Sequence, residues 1–164
     1  MRTNRHNRVP GQTYLFTVRL IDPASALLTD HIAAFGDAIR KVRGKKPFHV
    51  DAWVVLHNHA HAIWTLPPGD HDCAGRWRAV KIAFSKSVRK ALPASGAKRA
   101  IWERHYRERP IGDDDDFQHM VDYVHANPVA HGVCAAPADW PWSSVHRFAA
   151  EGLITSSVKR DVPA

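Results

Sequence analysis

The apolar positions change period several times along the chain, and each change marks an element. From Tyr14 to Leu20 a run of Tyr, Leu, Phe, Thr and Val predicts a strand. From Leu28 to Val42 the period becomes helical, with Ile32, Phe35, Ile39 and Val42 recurring and Thr29 or Asp30 placed to cap. Pro47 precedes a second strand, Phe48 to Leu56, in which Phe48, Val50, Ala52, Val54 and Leu56 alternate onto one face. A tight His57-Asn58 turn leads into a third strand, His59 to Leu66, which Pro67-Pro68-Gly69 stops. Ala74 to Leu92 reads as a helix with Trp77, Val80, Phe84 and Val88 as its stripe. Ile101 to Ile111 reads as a fourth strand. The run Asp113 to Asp116 suits a helix start, where carboxylates meet free N–H groups and the positive dipole end. Phe117, Met120, Val121 and Val124 give that helix its buried stripe, and it is expected to end at Asn127-Pro128.

The order is β-α-β-β-α-β plus a third helix. This is the split β-α-β, ferredoxin-like α+β arrangement, with an antiparallel sheet and helices on one face. Residues 1–13 form a basic arm and 14–128 the domain itself. Residues 129–164 are a tail of short irregular pieces that packs on that domain or gates it. Such a fold hosts many functions, so function has to come from a site.

Composition narrows the class. With 164 residues the chain fits one domain, and 45% hydrophobic content with six Trp excludes a disordered tail. No apolar run approaches the roughly 18–20 residues of a membrane span, and the basic start lacks the apolar region of a secretory signal. Cys73 and Cys134 fit no metal or disulfide spacing and suggest a reducing compartment. The net charge of +7 points to an anionic partner, with nucleic acid the leading candidate. Arg2, Arg5 and Arg8 in the arm, Arg78, Lys81 and Arg89 on the second helix, and Arg104 and Arg107 in the fourth strand are the candidate phosphate contacts.

The chemistry gathers around two of the 12 histidines. His59 and His61 are two apart on a strand, so their imidazoles share a face about 6–7 Å apart. They can converge on one divalent metal. Ala60, Ala62, Trp64 and Leu66 take the other face, so the pair is expected on the open face of the sheet. Tyr123 and Asn127 are four apart on the last helix and fall at the margin of its apolar stripe, neither fully buried. The asparagine offers a hard oxygen donor that Mg²⁺ or Mn²⁺ accepts. The tyrosine offers a hydroxyl that can serve as nucleophile. The plain alternative is a pair of exposed strand histidines and a helix-edge tyrosine with no role.

The stretches PGQTYLFTVRL, LLTDHI, PFHVDAWVVLHNHAHAIWTLPPGD, IWERHYRERPI, DYVHANPVAHG and DWPWSSVHRF cover most of residues 10–150. In that order they resemble the single-tyrosine transposases of the His-hydrophobic-His superfamily, and more closely the REP-associated tyrosine transposases. The resemblance implies the ferredoxin-like fold, a metal pair at His59 and His61, a nucleophile at Tyr123 and a completing ligand at Asn127. It implies an Mg²⁺- or Mn²⁺-dependent enzyme that cleaves and rejoins single-stranded or hairpin DNA of the REP type through a 5′-phosphotyrosine. It further implies a monomer in the bacterial cytoplasm, associated with the nucleoid. The chain departs from the family in having His57-Asn58 where Pro-Asp is usual, Ala60 between the histidines, and Arg107 and Arg109 where Trp and His are usual. Two other readings compete: a hairpin-binding protein of this fold without cleavage, and a zinc hydrolase built on His57, His59 and His61.

Overall fold

A computed structural model describes residues 11–97 and 99–153. Strands β1 (Thr13–Arg19), β2 (His49–Val55), β3 (His59–Thr65) and β4 (Arg107–Pro110) form one antiparallel sheet in the order β2-β3-β1-β4. Helices α1 (Leu27–Asp30) and α2 (Ile32–Lys45) join β1 to β2, and α3 (Cys73–Arg89) and the short α4 (Ala94–Ala97) join β3 to β4. Then come α5 (Asp114–Ala130), a 3₁₀ turn at Pro137–Asp139 and α6 (Val145–Ala150). This is the ferredoxin-like order expected from the pattern. Among the described residues no helix is long and apolar enough to cross a membrane.

The sheet is covered on both faces, not one. On the first face Phe16, Val18, Trp64 and Leu66 pack against Phe35 and Val42 of α2 and Trp77, Val80 and Phe84 of α3. Trp64 stacks on Trp77 with ring centroids 4.1 Å apart. On the second face Leu15, Ala52, Val54, Leu56 and Ile63 pack against Phe117, Val121 and Val124 of α5, closed by Trp140 and Phe148. The tail is stitched to β2: Trp140 Nε1 donates to Val55 O at 2.9 Å, and Ser144 N donates to Trp53 O at 2.9 Å.

Four expectations about elements change. The β2 positions do not stay on one face, because the pairing register shifts between Val50 and Ala52. The extra residue is Asp51, buried and accepting from Thr65 Oγ1 at 2.7 Å. A bulge of one residue flips everything beyond it. Phe48 and Val50 therefore face α2 and α3, while Ala52, Val54 and Leu56 face α5. The first helix breaks at His31, and neither Thr29 nor Asp30 caps α2; the Thr29 hydroxyl instead donates to Ala26 O. The fourth strand spans only Arg107–Pro110, because the chain bends at Arg104 after Trp102 bridges Leu20. Helix α5 runs through Pro128 to Ala130 instead of ending at Asn127. Asn127 and Pro128 are both buried, and His131 N still reaches Asn127 O at 3.0 Å, so packing overrides the local bias against helix before proline.

The other helix starts follow local chemistry. Asp113 accepts from Asp116 N at 2.8 Å at the start of α5, and Asp72 accepts from Gly75 N at 2.9 Å at the start of α3. Gly11 enters β1 so close to Leu66 O that a Cβ there would collide with it.

Candidate metal and nucleophile site

Residues paired across an antiparallel ladder share a face, so the register builds the site. His61 lies opposite Thr17, His59 lies opposite Arg19, and Thr17 lies opposite Arg107. These side chains belong to the face that α5 covers over β2 and β3. The pair is therefore not on an open face: His59 is 3% exposed and His61 2%. Tyr123 and Asn127 sit at different depths. Tyr123 is 47% exposed with its ring centroid 5.4 Å from His61, whereas Asn127 is buried. The imidazole centroids of His59 and His61 are 5.2 Å apart.

Hydrogen bonds fix what His59 offers. Asn58 Nδ2 donates to Pro23 O at 2.8 Å, which orients that amide. Asn58 Oδ1 therefore faces His59 Nδ1, at 2.7 Å, and can only accept. The neutral His59 carries its proton on Nδ1 and leaves Nε2 bare, 3.4 Å from Asn127 Oδ1. Two acceptors face each other there with no proton between them, an arrangement that a cation satisfies. On the neighbouring side Thr17 Oγ1 holds His61 Nδ1 at 2.8 Å, and His61 Nε2 is buried without a hydrogen-bond partner. With the Thr17 hydroxyl accepting from Nδ1–H, His61 Nε2 is likewise free of a proton, and two imidazole nitrogens with an amide oxygen make a donor set that fits a divalent ion.

The electrostatics favour the ligating form. Burial lowers the pKa of His59 to about 4, reinforced by Arg19 and His131. Burial likewise lowers His61 to about 3, reinforced by His59 and Arg19. Both rings are neutral near pH 7, the state that binds metal.

The structure separates the remaining candidates. His57 lies outside β3, exposed, with Nδ1 2.6 Å from Thr29 Oγ1 and its ring edge-on to Trp140 at 5.4 Å. Among the described residues no three His, Cys, Asp or Glu side chains are placed to hold a metal ion. The three-histidine zinc site is thereby overturned: His57 sits in the turn and not on the strand, so the spacing of two does not carry it to the same face. Arg78, Lys81 and Arg89 lie on α3, on the far side of the sheet from His59 and His61. Lys81 is engaged there, donating to Glu103 O at 3.1 Å and lying over the rings of Trp102 and Tyr106. Arg78, Arg89 and Arg104 are exposed. Arg107 is exposed on the site's own face. Arg2, Arg5 and Arg8 lie outside the described residues.

Sequence reasoning missed Thr17, Arg19, Asn58 and His131, whose ring centroid is 4.7 Å from that of His59. The β1–β3 register was the missing signal for Thr17 and Arg19. His131 was within reach of the helical count that linked Tyr123 to Asn127, being four residues further on.

A His-x-His strand is thus crossed by a helix that brings a tyrosine and an amide to it. No family model matches the chain. It is 42% identical over 149 residues to the REP-associated tyrosine transposase of Escherichia coli K12, covering 91% of this chain and 86% of that protein. A relative from Haemophilus influenzae is 33% identical over 153 residues, covering 90% and 87%. The solved structure of a REP-associated tyrosine transposase bound to a REP hairpin superposes with a TM-score of 0.84 at 38% identity, covering 99% of this chain and 93% of that one. A crystal structure of a candidate transposase from Deinococcus radiodurans shares the fold at 16% identity and a TM-score of 0.52, covering 73% and 93%. The chain belongs to the REP-associated tyrosine transposase family.

Proposed function

We propose that the protein is a metal-dependent strand transferase that cleaves and rejoins hairpin or single-stranded DNA of the REP type through a 5′-phosphotyrosine on Tyr123. The observation that carries this reading is the convergence of His59 Nε2, His61 Nε2 and Asn127 Oδ1 beside the Tyr123 ring. His59, His61 and Asn127 would hold Mg²⁺ or Mn²⁺. When bound, the ion polarises a non-bridging phosphate oxygen and orients the scissile phosphate.

The chain's own residues do the rest. Thr17 and Asn58 keep the two rings turned with Nε2 toward the site. Tyr123, half exposed at the edge of α5, is open to a strand arriving from solvent. Its Oη attacks phosphorus in line, forming the Oη–P bond as the P–O3′ bond breaks. The 3′ oxygen leaves and takes up a proton, while the phenol proton passes to solvent. The phosphotyrosine keeps the bond energy, so a 3′-OH reverses the step and rejoins strands. Arg19 and Arg107, on the same face, would meet the flanking phosphates.

Incubation with REP-type hairpins and Mn²⁺ should yield a covalent protein–DNA band that resists denaturation. Tyr123→Phe should remove the band and keep hairpin binding. A band that persists in Tyr123→Phe sinks the assignment. Wild-type binding without any band supports a hairpin-binding protein that does not cleave.

A further inference from the structure

The cations of α3 have no part in the chemistry above, because the sheet stands between them and His59 and His61. They belong to a larger basic face. Helices α2 and α3 pack side by side and antiparallel. Phe35 near the start of α2 meets Phe84 of α3, and Lys46, just past α2, meets Asp72 at the start of α3. Helix α3 has no acid in its 17 residues, and α2 has Asp37, which pairs with Arg40. Lys41, Lys45, Arg78, Lys86 and Lys90 are exposed and have no acidic partner among the described residues.

The arrangement of these charges selects the partner. Axes of packed helices lie about 8–10 Å apart, so the exposed cations form two rows and not one. From Arg78 to Lys90 the α3 row runs about 18 Å. Duplex DNA carries a phosphate charge about every 1.7 Å of its axis on two backbones, so both rows find phosphates, whereas a single strand offers one backbone. Single-strand sites also stack bases on aromatic side chains. Here Phe35, Phe48, Trp77, Phe84 and Trp102 are all buried, and the exposed large apolar side chain of α3 is the aliphatic Ile82. The face therefore offers charge without a stacking surface.

We infer that the α2–α3 face binds the phosphate backbones of a second, double-stranded DNA segment while the hairpin occupies the opposite face. The inference rests on the DNA reading above and adds to it a sequence-independent site, because phosphate contacts carry no sequence information. The segment is not the hairpin's own stem. A duplex is stiff over about 150 base pairs, so a stem held at its foot beside Tyr123 does not wrap round the sheet to this face.

The test is fluorescence anisotropy in EDTA with a labelled duplex of about 20 base pairs, two helical turns, without REP sequence. It is run on the free protein and on protein saturated with unlabelled hairpin, and both should bind the duplex. The variant carries Lys41→Gln, Lys45→Gln, Lys86→Gln and Lys90→Gln, all exposed positions. It should bind the duplex at least about tenfold more weakly and lose roughly 3 from the magnitude of the log–log salt slope. Hairpin affinity and unfolding temperature should match the wild type, because at physiological salt the loss of charge is screened beyond about 8 Å. Poly-glutamate should compete poorly with the duplex. The inference is overturned if the wild type does not bind the duplex, if the variant binds it equally well, or if hairpin displaces it. An equal fall in hairpin affinity would assign the face to the stem, and displacement by poly-glutamate at matched charge would assign it to an acidic protein; either overturns the inference. A wild type that binds no hairpin would overturn the reading of the first site, and the duplex arm on free protein would still decide this one.

Discussion

Acid should unfold this protein through three buried histidines. Burial lowers His59 to about 4, His61 to about 3 and His125 to about 4. Once unfolded, each returns to the ordinary histidine pKa of about 6.5. Above that value neither state is protonated and the three groups leave stability unchanged. As pH falls through 6.5 the unfolded chain takes up protons that the folded chain refuses, so stability falls until the folded pKa values are reached. At pH 5 the difference is about 2 kcal/mol per histidine, or about 6 kcal/mol for the three. That is a large part of a typical domain stability of about 5–15 kcal/mol. For a chain of this size it should lower the unfolding temperature by roughly 12–24 °C.

The assay is thermal or urea unfolding in EDTA between pH 7.5 and 5. His125 lies outside the proposed metal site, with Nε2 2.8 Å from Ser144 Oγ, so His125→Gln isolates one contribution while keeping a polar partner. That variant should lose about one third less stability over the same interval. Saturating Mn²⁺ should raise stability by a similar amount at pH 7.5 and 5 and leave the fall in place, because the unfolded chain still takes up the protons. Carboxylates do not confuse the window. Asp70 is held low chiefly by Arg76, Asp72 by Lys46 and Asp116 by the Gly112 N–H. Their contributions are present above the ordinary carboxylate range and are lost only below about pH 4. A wild type equally stable at pH 7.5 and 5, or a His125→Gln variant that falls as steeply, would refute the reasoning.

Three further outcomes follow from other contacts. Thr17→Val keeps the shape of β1 but releases His61 Nδ1, and by calorimetry it should weaken Mn²⁺ binding roughly 10–100-fold with little change in unfolding temperature. Arg107→Gln should reduce the log–log salt slope of hairpin binding by roughly 0.7–0.9, whereas Lys81→Gln, on the far face, should leave it unchanged. Arg76 is buried and donates to Asp70 through both terminal nitrogens and to Lys46 O and Pro47 O. Arg76→Met strands those carbonyls and should cost roughly 2–4 kcal/mol in urea unfolding.

Period-2 and period-3.6 patterns carried the succession of strands and helices along the chain, the α3 stripe and the capped start of α5, because each follows from contacts within a few residues. What they could not carry was anything decided across the sheet. The pattern Phe48, Val50, Ala52, Val54, Leu56 reads as one face, yet Asp51 inserts a bulge whose cause, the Thr65 hydroxyl, lies on the next strand. The same blindness placed His59 and His61 on an open face. Alternation correctly put them opposite Trp64, but a second hydrophobic layer from α5, Trp140 and Phe148 closes over that side. This closure makes the site. An exposed histidine pair would keep ordinary pKa values and would hydrogen-bond to water. Buried beneath α5, the pair is neutral, Asn127 reaches it from the helix that does the burying, and Tyr123 one turn earlier remains at the rim. One helix therefore sets the approach of Asn127 to the histidines, their protonation state and the exposure of Tyr123 together. Its path through Pro128 matters to the site, because a helix that ended at Asn127 would leave that amide on a fraying terminus instead of fixed within a helical turn.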